Sequence, residues 1–194
     1  MQVAELAPGL WRWTARHPEW TAADDGEWDP DVGCVYAEID GRIVTIDPLV
    51  PSEPAERDRF WLALDGDVVR LGPPVVLTTT VDHVRSAAAV VERYGAAGPA
   101  PAGLQAVPTA LRGEIVYWLE PFRALVPGDV LLGDGAGGVR VCPDDWLEGA
   151  DHDAVRVSLQ PLLGFPVERI LVSHGEPVLS DGHEALERAL RDEL

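Results

Sequence analysis

The residues that could support chemistry are a neighbouring pair, Asp82 and His83, and a distant histidine, His174. The pair follows Val75–Thr80, in which three apolar residues precede three threonines. His174 follows the apolar run Val167–Ser173, which predicts a strand. Carboxylate oxygens and imidazole nitrogens bind divalent metal ions and also transfer protons. These residues are therefore candidates for a metal site, with Asp82 and His83 as the candidate catalytic pair.

The elements that must position this pair follow from the hydrophobic pattern. Val75–Leu77 predicts a strand, and Arg85–Tyr94 predicts a helix. The order strand, loop, helix places Asp82 and His83 in a loop at the carboxyl end of a strand. That edge of an open α/β sheet is where ligands usually bind.

Other segments give clear local signals. Asp40-Gly41 separates two apolar runs, Val32–Ile39 and Arg42–Ile46, and predicts a hairpin because Asp-Gly readily adopts the positive φ of a type I′ turn. Pro54 predicts the start of a helix that runs to about Leu64. The remaining predicted elements are strands at 10–16, 104–107, 114–119, 124–126, 129–133 and 139–142, and helices at 154–163 and 181–194.

Length and composition predict one globular domain over residues 1–194, since 46% of the residues are apolar. The chain has no run of about eighteen apolar residues, and its start lacks the basic and apolar regions of a signal peptide. We therefore expect a cytoplasmic protein. The bias toward Ala, Arg, Gly and Pro is typical of a GC-rich bacterial genome.

The net charge of −18 argues against nucleic acids and anionic membranes as partners, because both require a basic surface. A small-molecule substrate or ligand is the expected partner, and the sequence leaves the oligomeric state open. All fifteen basic residues are arginines, which excludes lysine Schiff-base chemistry. Cys34 lies in an apolar run and predicts a buried free thiol.

The stretch around Asp82 and His83 resembles the first signature of the metallo-β-lactamase-fold hydrolases. That signature reads His-x-His-x-Asp-His. Here Thr78 and Thr80 stand where its first two histidines belong, while Asp82 and His83 match. The predicted hairpin runs into Asp47-Pro48, which is similar to the end of the family's opening hairpin. The resemblance implies an α/β (α+β) fold, a four-layer αββα sandwich of metallo-β-lactamase type.

Three later stretches resemble the other signatures of that family. Pro108–Gly113 is similar to a Pro-Gly-His-Thr-Pro-Gly-like loop, with Ala110 at the histidine position. Gly128–Asp134 resembles Gly-Asp-x-Leu-x-x-Gly-Asp but is one residue shorter, and it places Asp134 at the ligand position. Ser173-His174-Gly175 resembles Gly-His-Gly.

The resemblance implies that one of the family's two metal sites is lost and the other is kept. The three histidine positions of the lost site are occupied by Thr78, Thr80 and Ala110. The second site would hold at most one ion, Zn²⁺ or else Mn²⁺ or Fe²⁺. Its implied ligands are Asp82, His83, Asp134 and His174.

The function remains open at this point, including whether the chain is an enzyme. One hypothesis is a hydrolase with one metal ion that acts on a small ester, thioester or lactone-like substrate. The alternative is a metal-free pseudoenzyme of the same fold that binds a small molecule or a protein partner, because aspartates at strand ends often cap loops. A third reading, a structural or interaction subunit, rests only on the tryptophans at positions 11, 13 and 20.

Overall fold

The computed structural model describes residues 1–25, 28–95, 97–147 and 149–191. The chain forms two compact units, the first made of Met1–Thr78 and Asp82–Gly103, the second of Thr79–Val81 and Leu104–Leu194. Within those residues, several sheets and four α-helices make it a mixed α/β chain, as the sequence predicts. Within the described residues, no helix combines the length and the apolar character needed to cross a bilayer.

The first unit is built on a five-stranded sheet in which the strands follow their chain order. The first three junctions are antiparallel, and the last is parallel. Parallel pairing brings the carboxyl ends of the last two strands to the same edge, where Asp47 donates its N–H to the carbonyl of Leu77 at 3.0 Å. The strands are β1 (Gln2–Ala7), β2 (Leu10–Arg16), β3 (Asp31–Ile39), β4 (Arg42–Ile46) and β5 (Val75–Leu77).

Two local features of this sheet follow from backbone conformation. The predicted hairpin between β3 and β4 is confirmed, with φ angles of 51° at Asp40 and 69° at Gly41. Strand β1 lies at the edge of the sheet, and its register with β2 shifts between Glu5 and Ala7.

Helix α1 (Pro54–Leu71) and helix α2 (Ala87–Tyr94) complete the first unit. The prediction that the first helix ends near Leu64 is wrong. Gly66 does not break the helix, because it is exposed and costs only about 1 kcal/mol relative to alanine. The helix ends instead at Gly72, whose φ is 83°. The core of the unit includes Trp13, Cys34, Tyr36, Ile43, Leu64 and Val90.

The second unit contains a four-stranded sheet in the order β11-β8-β7-β6 and a separate antiparallel pair of β9 and β10. Its elements are β6 (Leu104–Pro108), β7 (Ile115–Leu119), β8 (Ala124–Val126), β9 (Leu131–Gly133), β10 (Val139–Val141), α3 (His152–Leu159), β11 (Arg169–Ile170) and α4 (Gly182–Arg191). A continuous apolar core surrounds these elements and includes Val116, Leu125, Leu131, Leu159, Ile170 and Leu186.

The predicted strand Val167–Ser173 is much shorter in the structure, where only Arg169–Ile170 pairs as β11. Its partner β8 has only three residues, two of which pair with β11, so the ladder is limited in length. The last predicted helix is confirmed over α4, which buries Leu186 and Leu190 as expected. Residues 192–194 of that prediction lie outside the described residues.

Candidate metal centre

His83 is the buried residue of a single 3-10 turn, Val81–His83, that follows β5. Its Nδ1 lies 3.0 Å from Oδ2 of Asp47, the residue that follows β4. Both residues are nearly inaccessible, at 4% and 2% exposure. When a neutral imidazole donates its Nδ1–H to a carboxylate, the lone pair is on Nε2. Asp47 therefore favours the tautomer of His83 that can bind a metal through Nε2.

The segment after His83 is fixed to the segment that carries Asp47. The Arg85 guanidinium donates to the carbonyl of Asp47 at 3.2 Å and to the carbonyl of Gly33 at 3.0 Å. Ser86 donates its N–H to the carbonyl of Pro48 at 2.9 Å. These contacts hold the orientation of the Asp47–His83 pair, and none of them could be read from the sequence.

In the second unit, His174 is paired with Asp129. The Nε2 of His174 lies 3.3 Å from Oδ1 of Asp129. The ring of Trp146 meets the ring of His174 edge-on, with a centroid distance of 5.5 Å and an interplanar angle of 82°. Both members of the pair are mostly buried, at 12% and 21% side-chain exposure, so their position depends on the surrounding fold.

The loop that carries Asp129 is held by a buried carboxylate. Glu114 is 2% exposed and accepts the N–H groups of Asp129 at 3.1 Å and Val130 at 2.8 Å. Gly128 lies so close to this network that an added Cβ would be 2.8 Å from Oγ1 of Thr79 and 3.0 Å from Cδ of Glu114. Glu114 and Gly128 therefore determine where the Asp129 carboxylate lies.

In the second unit, Asp129 and His174 offer a carboxylate oxygen and an imidazole nitrogen that could hold a metal ion. Two ligand atoms bound to one tetrahedral Zn²⁺ would be about 3.4 Å apart. The distance of 3.3 Å between Nε2 of His174 and Oδ1 of Asp129 is close to this value. This pair of ligand types therefore fits a first-row divalent ion.

No known family profile and no curated protein matches this sequence. Solved structures do match. A metallo-β-lactamase from Erythrobacter litoralis is 16% identical, with 97% of this chain and 89% of that chain covered and a TM-score of 0.64. TTHA1623 in a di-iron-bound form is 24% identical, with 81% and 93% covered and a TM-score of 0.56. TMB-1 is 11% identical, with 97% and 94% covered and a TM-score of 0.60.

The chain has the metallo-β-lactamase fold. The predicted fold class is thereby confirmed, and the low identities show that this metallo-β-lactamase-fold chain is divergent. The pair of His174 and Asp129 in the second unit indicates a potential for metal binding.

The other two predicted ligands of this metallo-β-lactamase-fold chain have different surroundings. Asp82 is exposed on the same 3-10 turn as His83. The carboxylate of Asp134 accepts the N–H groups of Ala136 at 2.7 Å and Gly138 at 2.8 Å, within the turn between β9 and β10. Burial raises the pKa of Asp134, but these backbone donors outweigh it, and the pKa is lowered. The assignment of Asp82 and Asp134 as ligands stays a prediction.

Asp129 is the candidate ligand that sequence reasoning missed. It lies in the same stretch that suggested Asp134, because Gly128–Asp134 contains two aspartates. The stretch is one residue shorter than the family signature, so its alignment did not determine which aspartate faces the histidine. That one-residue difference was the signal in the sequence that the ligand could be Asp129 instead of Asp134.

Proposed function

We propose that this chain is a metal-dependent hydrolase that binds one ion, with His83, Asp129 and His174 as the ligands. The observation that carries the proposal is the pairing of His174 with Asp129, whose Nε2 and Oδ1 lie 3.3 Å apart. The resemblance of the sequence around His83 to the family's first signature adds the third ligand. The substrate we propose is a small ester, thioester or lactone-like molecule. The fold supports a hydrolase-like activity, and one solved structure similar to the chain is a di-iron form.

A divalent cation at this group would supply Lewis acidity toward a carbonyl oxygen of the substrate. The protein side chains divide the remaining tasks. Asp47 keeps a proton on Nδ1 of His83, so that the other ring nitrogen is available as a ligand. Asp82, exposed beside His83, is the proposed general base that would accept a proton from the water that attacks the carbonyl. Glu114 fixes the loop that presents Asp129.

Metal analysis of protein purified without chelators tests the proposal. We expect close to one equivalent of a first-row metal in the wild type and a large loss in Asp129→Ala and His174→Ala. His152→Ala is the matched control, because His152 is outside the group, and it should keep the metal. Hydrolysis of p-nitrophenyl acetate, an acyl thioester and a simple lactone should follow metal content. Protein without metal and without affinity for added Zn²⁺, Mn²⁺ or Fe²⁺ would refute the proposal.

A metal-free binding protein of the same fold is the second candidate. It is favoured by the pairing of His83 with Asp47 at 3.0 Å and of His174 with Asp129 at 3.3 Å, since a carboxylate neighbour can satisfy each histidine. On this reading, esters and lactones that raise the melting temperature of the wild type should do so equally in His83→Ala and His174→Ala. Loss of that shift in both variants would count against it.

A further inference from the structure

A cavity of 470 Å³ lies between the sheet of the first unit and helix α1. Its sheet wall contains Trp11, Tyr36 and Thr45, which are direct partners across β2, β3 and β4. Directly paired residues project from the same face of a sheet, so these side chains form one row. Phe60 and Ala63 of α1 line the opposite wall. The volume is in the range of about 300–1,000 Å³ that is typical of small-molecule sites.

Thr45 gives this apolar cavity a polar group that none of the described residues satisfies. It is 1% exposed, and its Oγ1 has no hydrogen-bond partner within the described part of the chain. A buried hydroxyl without a partner destabilises the folded state, and a ligand that supplies a hydrogen bond would remove this penalty. The cavity therefore combines a large apolar wall with one directed polar contact.

The charged groups at the mouth of the cavity are balanced. Asp67 and Arg59 line it, and the Tyr36 hydroxyl donates to Glu38 at 3.2 Å. Arg70 makes ion pairs with both Glu38 and Asp67. The N-terminal ammonium of Met1, which also lines the cavity, is paired with Glu56. The three carboxylates and three cationic groups leave no net charge to attract an ion, so the mouth favours an uncharged ligand.

We propose that this cavity binds an uncharged, apolar small molecule whose single hydrogen-bonding group contacts Thr45. The exposed apolar side chains Val3 and Leu62, at 51% and 74% exposure, also line the cavity and would be partly covered by such a ligand. No candidate metal ligand lines the cavity, so the site is independent of the proposed hydrolase function.

Titration of the wild type with N-phenyl-1-naphthylamine, an uncharged fluorescent probe with one N–H, tests the proposal. We expect saturable binding of one probe per chain. Ala63→Phe should fill the cavity and weaken binding at least about tenfold. Val69→Phe is the matched control, because Val69 is on the same helix, is 90% exposed and does not line the cavity. It should bind the probe as the wild type does.

Thr45→Val tests the polar contact, since it removes the hydroxyl and keeps the shape. It should weaken N-phenyl-1-naphthylamine binding about tenfold and leave the binding of pyrene, which has no hydrogen-bonding group, unchanged. The proposal is overturned by non-saturable binding, by equal affinity in the wild type and Ala63→Phe, or by one probe bound per two chains. The last result would indicate a surface between copies of the chain.

Discussion

The Nδ1 of His83 lies 3.0 Å from the carboxylate of Asp47, and both side chains are buried. The Asp47 carboxylate therefore contacts one ring nitrogen of His83 and leaves the other available to bind a metal. Such a contact raises the basicity of the ligand and fixes the orientation of its ring. Asp47→Asn should therefore weaken Zn²⁺ affinity about 10- to 100-fold, as measured by competition with a chelator. Asp40→Asn, in an exposed turn with φ of 51°, should have no effect. Equal affinities in both variants would contradict a supporting role for Asp47.

The choice between Asp129 and Asp134 as the carboxylate ligand can be made with two single substitutions. Asp129 is 3.3 Å from His174, whereas Asp134 accepts two backbone N–H groups of its own turn. We expect Asp129→Asn to lose most of its bound metal and Asp134→Asn to keep it, as measured by elemental analysis. The reverse result would support the ligand set implied by the sequence.

Asp134 should instead contribute to stability, in a pH-dependent way. Its pKa is lowered in the folded state, because the backbone donors of Ala136 and Gly138 outweigh the effect of burial. The stabilisation is therefore present above the unfolded-state pKa of about 3.9 and is lost as the pH falls through the folded-state pKa. Because Asp134 is exposed and its hydrogen bonds compete with water, Asp134→Ala should lower the free energy of unfolding in urea by at most about 1 kcal/mol at pH 7 and by less near pH 3. Equal losses at both pH values would contradict this role.

Two glycine substitutions should have opposite effects on stability. Gly128→Ala would place a Cβ 2.8 Å from Oγ1 of Thr79, and we expect a loss of about 1–3 kcal/mol. Gly66→Ala lies in α1 with no atom within 4 Å of the added Cβ, and it should stabilise the protein by about 0.5–1 kcal/mol. Urea unfolding of both variants gives the comparison. A neutral Gly128→Ala would show that the Glu114 network is not tightly packed.

Both cysteines should be unreactive in the folded protein. Burial raises the pKa of Cys34 to about 11 and that of Cys142 to about 12, so the nucleophilic thiolate is scarce at pH 8. A disulfide reagent such as 5,5′-dithiobis(2-nitrobenzoate) should modify neither thiol until the chain is unfolded. In Val69→Cys, whose position is 90% exposed in the wild type, one thiol per chain should react rapidly. Rapid reaction in the wild type would contradict the burial of these thiols.

The sequence predicts elements well where a single local rule dominates. The Asp40-Gly41 turn and the strand before His83 have the predicted type and position. Prediction fails where the length of an element depends on its surroundings in the fold. Strand β11 is short because β8 offers few residues to pair with, and α1 continues through Gly66 because its solvent-facing side tolerates a glycine.

The candidate site shows the same division. His83 and His174 are candidates from the sequence, and in the structure His83 is paired with Asp47 and His174 with Asp129. Asp129 was missed because the shortened motif contains two aspartates. The hydrogen bond that the Asp134 carboxylate accepts within its own turn is seen only in the three-dimensional structure. Glu114 precedes an apolar strand and would ordinarily be expected at the surface; its burial depends on the Asp129 loop folding over it.

The shift in register between Glu5 and Ala7 has a consequence beyond the fold of one chain. An edge strand with a regular, continuous row of N–H and C=O groups is a template on which another molecule can add a strand. In β1 that row is interrupted, and the exposed carboxylate of Glu5 lies where the interruption begins. The β1 edge of the sheet therefore disfavours the addition of a strand from another chain. This lowers the tendency of a chain with so much apolar sequence to aggregate.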